Sequence, residues 1–290
     1  MKKALSIIVI IVVAALSTAA QKQQLTSKML YHNGPLVTGI QNMYFIYYGC
    51  WNDNCGPLGD TKTVNLLADF VIGLGNTPYA QINSTYTDAA GQPAASSFIY
   101  GGQAFDASYA HGVDLTQSDL LDVISYHVNN FLLPQDPNGI YVIVGSADVA
   151  STATGFCSAS APPFHGRGVV NSALLNYIFL GNPNRCPAVA GPQFTTLGPT
   201  PNDNYAGDVL ASNLAHALNG LVTNPAGNGW FDRYGLENTD KCQDGAGHAI
   251  FGQTYLTANG ARANVKIGGR DFLIQQNWVN DRKARCAMFK

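Results

Sequence analysis

His216 sits in the longest stretch of helical periodicity in this chain of 290 residues, Tyr205 to Thr223. On a helical wheel Leu210, Leu214, Ala217, Leu218 and Leu221 form one apolar stripe. His216 lies about 140° from the centre of that stripe, near Ser212 and Gly220, so it faces a cleft, a loop or solvent. Downstream, Glu237 and Asp240 are three residues apart and can share one side of a turn. One imidazole and two carboxylates are donors that suit a divalent ion, so His216, Glu237 and Asp240 form a candidate metal set, with zinc held weakly if at all. The rival reading of His216 is a polar helix residue bonded to a loop.

The remaining chemical groups give weaker patterns. His165, in Pro162-Pro163-Phe164-His165-Gly166, is either a ligand-binding residue or a structural hydrogen-bonding group in a loop near Cys157. His32 is expected to shape a turn, and His248 to face solvent on a loop beside Cys242. His111 and His127 have no partner at a ligand spacing, and no serine lies in a nucleophile elbow. Asp148 and Asp232 could form a carboxylate pair for glycoside chemistry, a matter of distance that sequence does not give. No phosphate loop or dinucleotide fingerprint is present. Trp51, Trp230, Phe231, Tyr234 and Trp278 fall in or near loops. They either make a glycan-stacking platform, with Trp230, Asp232 and His165 as ligand-binding candidates, or pin loops onto the core.

The elements that must position these groups alternate between strand and helix. Met43 to Tyr48, Ser97 to Tyr100, Gly139 to Val144 and Leu174 to Leu180 read as strands. Thr63 to Leu74 reads as a helix, and a capping-box-like Thr116-Gln-Ser-Asp119 opens another that ends before Pro134. Ser146 to Gly168 and Gly181 to Asn204 read as loop, and the tail from Trp230 as mostly loop, with short strands near Ala263 to Ile267 and Asp271 to Gln275. The alternation predicts an α/β fold, a mixed β-sheet flanked by helices, in one domain.

Charged residues are 12% of the chain, about half the usual roughly 25%, and the net charge is −2. That balance excludes a nucleic-acid binder working through a broad basic surface. Lys2 and Lys3, an apolar run from Leu5 to Leu16 and the small residues Ser17 to Ala20 read as a signal peptide over residues 1–20, leaving 21–290 as the mature domain. The run is too short to span a membrane, and no later segment is apolar enough. The chain is therefore expected to be secreted. Six cysteines in a secreted chain suggest three disulfides; proximity favours Cys50–Cys55, and Cys157–Cys186 with Cys242–Cys286 are preferred among the fifteen possible pairings. Asn83-Ser84-Thr85 is an N-glycosylation sequon.

Several segments, in order along the chain, resemble the phosphate-induced (EXORDIUM-like) family of secreted proteins. They include Tyr31-His-Asn-Gly-Pro-Leu-Val-Thr-Gly39, Tyr141-Val-Ile-Val-Gly-Ser-Ala-Asp-Val149 with Gly155-Phe-Cys157, and Phe164-His-Gly166. Tyr177-Ile-Phe-Leu-Gly-Asn182 with Arg185-Cys-Pro187, Asn213-Leu-Ala to Leu221-Val-Thr-Asn-Pro225, Ile250-Phe-Gly252 and Gly269-Arg-Asp-Phe-Leu273 complete the set. The resemblance implies a non-catalytic extracellular protein, associated with wall or matrix components and linked to growth and nutrient responses. The partner would be such a component, a glycan among them.

The long helix also resembles a degenerate metallopeptidase helix, in which two ligands four residues apart flank a general base. His216 keeps the first ligand position, but Ala217 stands in the place of the base and Gly220 in that of the second ligand. Trp230-Phe-Asp232 and the run from Gly235 to Cys242 are similar to the acidic segment that follows such a helix. The resemblance implies a zincin-like arrangement around Tyr205–Thr223, either with catalysis lost and zinc vestigial or, as the alternative, a divergent metal-dependent hydrolase using His216 with Glu237 or Asp240.

Overall fold

The computed structural model describes residues 27–158, 163–191, 193–194, 198–244 and 247–290. The signal-peptide segment lies outside the described residues. The chain forms a five-stranded mixed sheet packed by helices on both faces. In chain order, β1 is Met29–Tyr31, β2 Ile40–Tyr48, β3 Ser97–Asp106, β4 Gly139–Gly145, β5 Phe164–Val170, β6 Ala173–Leu180 and β7 Trp230–Asp232. The helices are α1 Thr61–Leu74, α2 Gln117–Asn129, the single turn α3 Pro187–Ala190, and α4 Tyr205–Thr223. The sheet order is β3-β2-β4-β6-β5, parallel except for β5, which runs antiparallel to β6 at one edge.

The period of two in β2 divides the core. Met43, Phe45 and Tyr47 face α1 and α4, whereas Tyr44, Ile46 and Tyr48 face α2. Strand β4 is buried at every residue, as a continuous apolar run in a parallel sheet covered on both sides must be. Caps fix the helix starts. The Asp60 side chain accepts the Thr63 N–H at 2.6 Å, Thr116 and Asp119 complete the capping box of α2, and Asn204 accepts the Gly207 N–H at the start of α4. Pro225 follows the Asn224 C-cap, so α4 stops where the sequence stops it.

All three expected disulfides are present: Cys50–Cys55, Cys157–Cys186 and Cys242–Cys286. Three short antiparallel pairs organise the tail: Tyr255–Leu256 with Arg262–Ala263, Val265–Ile267 with Arg270–Phe272, and Asn277–Val279 with Arg285–Ala287. Strand β7 pairs with β1 and ties the tail to the start of the described chain.

Two departures from the sequence reading matter. The expected strand from Ser97 ends at Asp106 rather than Tyr100, because a bulge opposite Met43/Tyr44 carries the ladder past Gly101-Gly102. Strand β5 occupies the end of a stretch read as loop, and the left-handed Asn171 (φ 48) and Ser172 (φ 66) make the two-residue turn into β6. Among the described residues no helix is long and apolar enough to cross a membrane.

Candidate functional site

An open cleft of about 1020 Å³ lies between edge strand β5, the C-terminal half of α4 and the segment after β7. Its walls bring together His165, His216, Glu237 and Asp240. His165 comes from β5, His216 from α4, and Asp240 from the single helical turn Thr239–Lys241. His216 Nε2 lies 2.9 Å from Asp240 Oδ1, and His165 Nε2 lies 2.9 Å from Glu237 Oε2. The Asp240 carboxylate is also tied to the Glu237 backbone, whose N–H donates to Asp240 Oδ2 at 3.2 Å. Asn224 donates to Glu237 Oε1 at 2.6 Å, and its own Oδ1 is fixed by the Gly229 N–H.

On its other side His216 Nδ1 meets Gln275 Oε1 at 3.0 Å. The Gln275 amide nitrogen is spent on the carbonyls of Thr239 and Cys242, so its oxygen must face the ring. Burial works against a charged His216, yet the bond and charge of Asp240, with Gln275 and Glu237 behind them, lift its pKa above the ordinary value. Burial likewise opposes ionised Asp240, but His216, the Glu237 N–H and the charge of His165 hold its carboxyl below the usual range.

Gly220, one turn beyond His216, explains why the second imidazole can enter. A Cβ there would stand 2.4 Å from Glu237 Oε2 and 2.6 Å from His165 Nε2. The His165–Glu237 pair therefore fills the volume that a helix side chain would take. Sequence spacing brought out His216, Glu237 and Asp240 as a set but left His165 apart, since β5 was not read as a strand.

The other candidates sit elsewhere. Asp232 does not line the cleft. It is fully buried in an ion pair with Lys241 at 2.9 Å and also holds Ser27 and the N–H groups of Tyr234 and Leu236. This corrects the expectation of Asp232 as an accessible ligand-binding or glycoside-cleaving group. Burial would raise the Asp232 carboxyl, but these donors hold it below the ordinary range. Its stabilising contribution is present above about pH 3.9, the unfolded value, and is lost as pH falls through the lower folded value. Urea midpoints followed from pH 5 to pH 2 should fall less steeply in Asp232→Asn than in the native chain.

Trp230 stacks on Tyr31 and donates its indole N–H to Thr87 O, so it fastens β7 to the N-terminal segment. Trp51 and Trp278 are buried, which corrects their placement in an exposed platform and favours loop pinning; Tyr234 remains exposed. Asp148 is engaged by Tyr109 and Ser146. His32 stacks on Phe231, His248 is exposed beside Asp244, and His127 is buried with Nδ1 on the Val123 carbonyl. His111 gathers with Asp119 and Asp122 at the start of α2, a neighbourhood its spacing did not suggest.

Asn83 is wholly buried, donating its amide to Asn219 and accepting from Asn277. A glycan has no room there, which corrects the sequon's expectation of a glycoprotein. Intact mass of protein from a glycosylating host should show no sugar at Asn83.

Residues 29–289 match the phosphate-induced protein 1 conserved region. The chain is 27% identical to protein EXORDIUM-like 5 of Arabidopsis thaliana over 302 aligned residues, covering 92% of this chain and 80% of that relative. It is 27% identical to protein EXORDIUM-like 3 of the same plant, covering 87% and 80% of the two chains. It is 24% identical to protein PHOSPHATE-INDUCED 1 of Nicotiana tabacum, covering 74% and 70%. No solved structure matches the chain. With its conserved region matched from the first strand to the last, the chain belongs to the phosphate-induced protein 1 (EXORDIUM-like) family.

Proposed function

We propose that the chain is a secreted extracellular protein whose cleft binds a wall or matrix component without turning it over. The observation that carries the non-catalytic reading is the state of the α4 site. Ala217, in the place of a general base, is buried in the core, and Gly220 offers no side chain. The nearest carboxylates, Glu237 and Asp240, are already engaged with His165 and His216. Three disulfides in the described residues support an oxidising destination, as does the charged and apolar start of the chain. The link to growth and nutrient responses follows from the family and is part of the same proposal.

A second reading, a divergent hydrolase of zincin-like build, is favoured by one observation: His216 turns from α4 into a cleft bordered by a sheet edge. One experiment separates the two. Mature protein recovered from the medium of an expressing culture should begin near Gln21, bind wall or matrix polysaccharide and cleave neither peptide nor glycan libraries. Cleavage that disappears in His216→Ala would establish the hydrolase and overturn the binding reading.

A further inference from the structure

We propose that Arg167 makes the cleft selective for a glycan carrying an isolated uronic acid, its guanidinium taking the sugar carboxylate while the rest of the cleft holds neutral sugar. The inference deepens the reading of the cleft as a wall- or matrix-binding site and rests on it.

Arg167 lies on β5 two residues beyond His165, so the two side chains leave the same face of the edge strand, and both line the cleft. Arg167 Nε donates to Asn176 Oδ1 at 3.0 Å, directly across the hairpin. Asn176 is buried, at 2% exposure, so a fixed acceptor holds the guanidinium in place. Spending Nε there leaves the two terminal nitrogens, which have no hydrogen-bond partner among the described residues.

This cation also lacks a counter-ion. The two carboxylates of the cleft are taken, Glu237 by His165 and Asp240 by His216. No other Asp or Glu among the described residues pairs with Arg167, and the segments outside them contain no acidic residue. Burial draws the Arg167 pKa down and no carboxylate draws it back, yet a guanidinium keeps its charge. The cleft therefore presents a half-buried, oriented cation whose two free N–H donors match the two oxygens of a carboxylate.

The surroundings of Arg167 suit sugar. The cleft volume, about 1020 Å³, is at the top of the small-molecule range and suits a short oligosaccharide. Gly166, Gly227, Ala226 and Pro225 make room, and Gln117 brings an amide of the kind that bonds hydroxyls. A polymer with a carboxylate on every sugar, or an acidic peptide, fits less well. Its further charges would meet Glu237 and Asp240 on the same walls, and Arg167 is the one Lys or Arg among the described lining residues.

The test presents the mature chain with wall and matrix oligosaccharides that carry one uronic acid, glucuronoxylan fragments among them. Each is paired with its carboxyl-reduced counterpart, which has the same shape without the charge, and calorimetry at low salt reads the affinities. An acidic member should bind about 10–100-fold more tightly than its reduced twin, the range of a hydrogen bond to a charged group. Arg167→Gln should bring the two to the same affinity and leave the reduced one unchanged. Arg167→Lys should recover only part of the difference, since an ammonium lacks the fork. Leu174→Glu places a carboxylate within the chain at an exposed position diagonal to Arg167 across the hairpin. It should abolish the preference with Arg167 still present, a second route if Arg167→Gln fails to fold. Equal affinity for the twins in the native chain, or a preference that survives in folded Arg167→Gln, would overturn the proposal and leave the glycan-binding reading standing. Tighter binding of an oligogalacturonate, a sulfated oligosaccharide or an acidic peptide would overturn it as well. Native chain that binds no glycan, acidic or reduced, would overturn the reading itself and the proposal with it.

Discussion

Lys241→Met should be among the most damaging single substitutions in the chain, costing about 3–5 kcal/mol. Lys241 and Asp232 are both fully buried and 2.9 Å apart, and the ammonium also lies 4.9 Å from the Trp278 ring centre. Burial lowers the Lys241 pKa, with Asp232 pulling against it, so the charged lysine is held in place by its partner. Methionine keeps most of the volume but leaves the Asp232 carboxylate without its cation. The pair sits where β7 meets β1, so its loss should loosen the attachment of both to the core. Urea unfolding measures the cost. The double variant Lys241→Met/Asp232→Leu should recover part of it, since replacing both charges removes the unpaired carboxylate. A cost below about 1 kcal/mol for the single variant, the range of an exposed pair, would show that water reaches the site.

Removing the Cys242–Cys286 disulfide should have a comparable effect. Its two cysteines are separated by 44 residues, so the chain-entropy estimate of its contribution is about 4 kcal/mol. For Cys50–Cys55, with a separation of 5, the same estimate gives about 2 kcal/mol. Cys242 follows Lys241 directly, and Cys286 lies in the last strand of the tail, so this bond anchors the segment that carries Gln275 and Trp278 against α4. Paired serine variants compared by urea unfolding should rank in that order. Equal losses would mean that local strain or residual structure outweighs loop closure.

Much of this arrangement is legible in the sequence. The bounds of α4 follow from Asn204 and Pro225, and β4 from an unbroken apolar run. The wheel position of His216 correctly turns it off the aliphatic stripe. Strand β5 was hidden, because Gly166 and Gly168 and the prolines before Phe164 mimic loop composition while the strand is specified by pairing with β6. His165 was hidden with it, since its meeting with Glu237 spans 72 residues of sequence. The Asn171-Ser172 turn was the signal available, a pair of residues suited to a tight hairpin. Asp232 and Asn83 failed for the opposite reason. Their chemistry is legible as residue type, but burial is a property of the assembled core.

The close approach at Gly220 also reaches beyond one molecule. Since a Cβ at this position would crowd the Glu237 carboxylate as well as the ring at 165, the three positions are expected to change together during descent. Lineages that place a side chain on the helix at 220 should carry something small on the strand at 165, and those that keep the strand imidazole should keep the helix bare. Paired exchange between the two positions, counted across diverged family members, would trace which side of the cleft supplied the group in each branch.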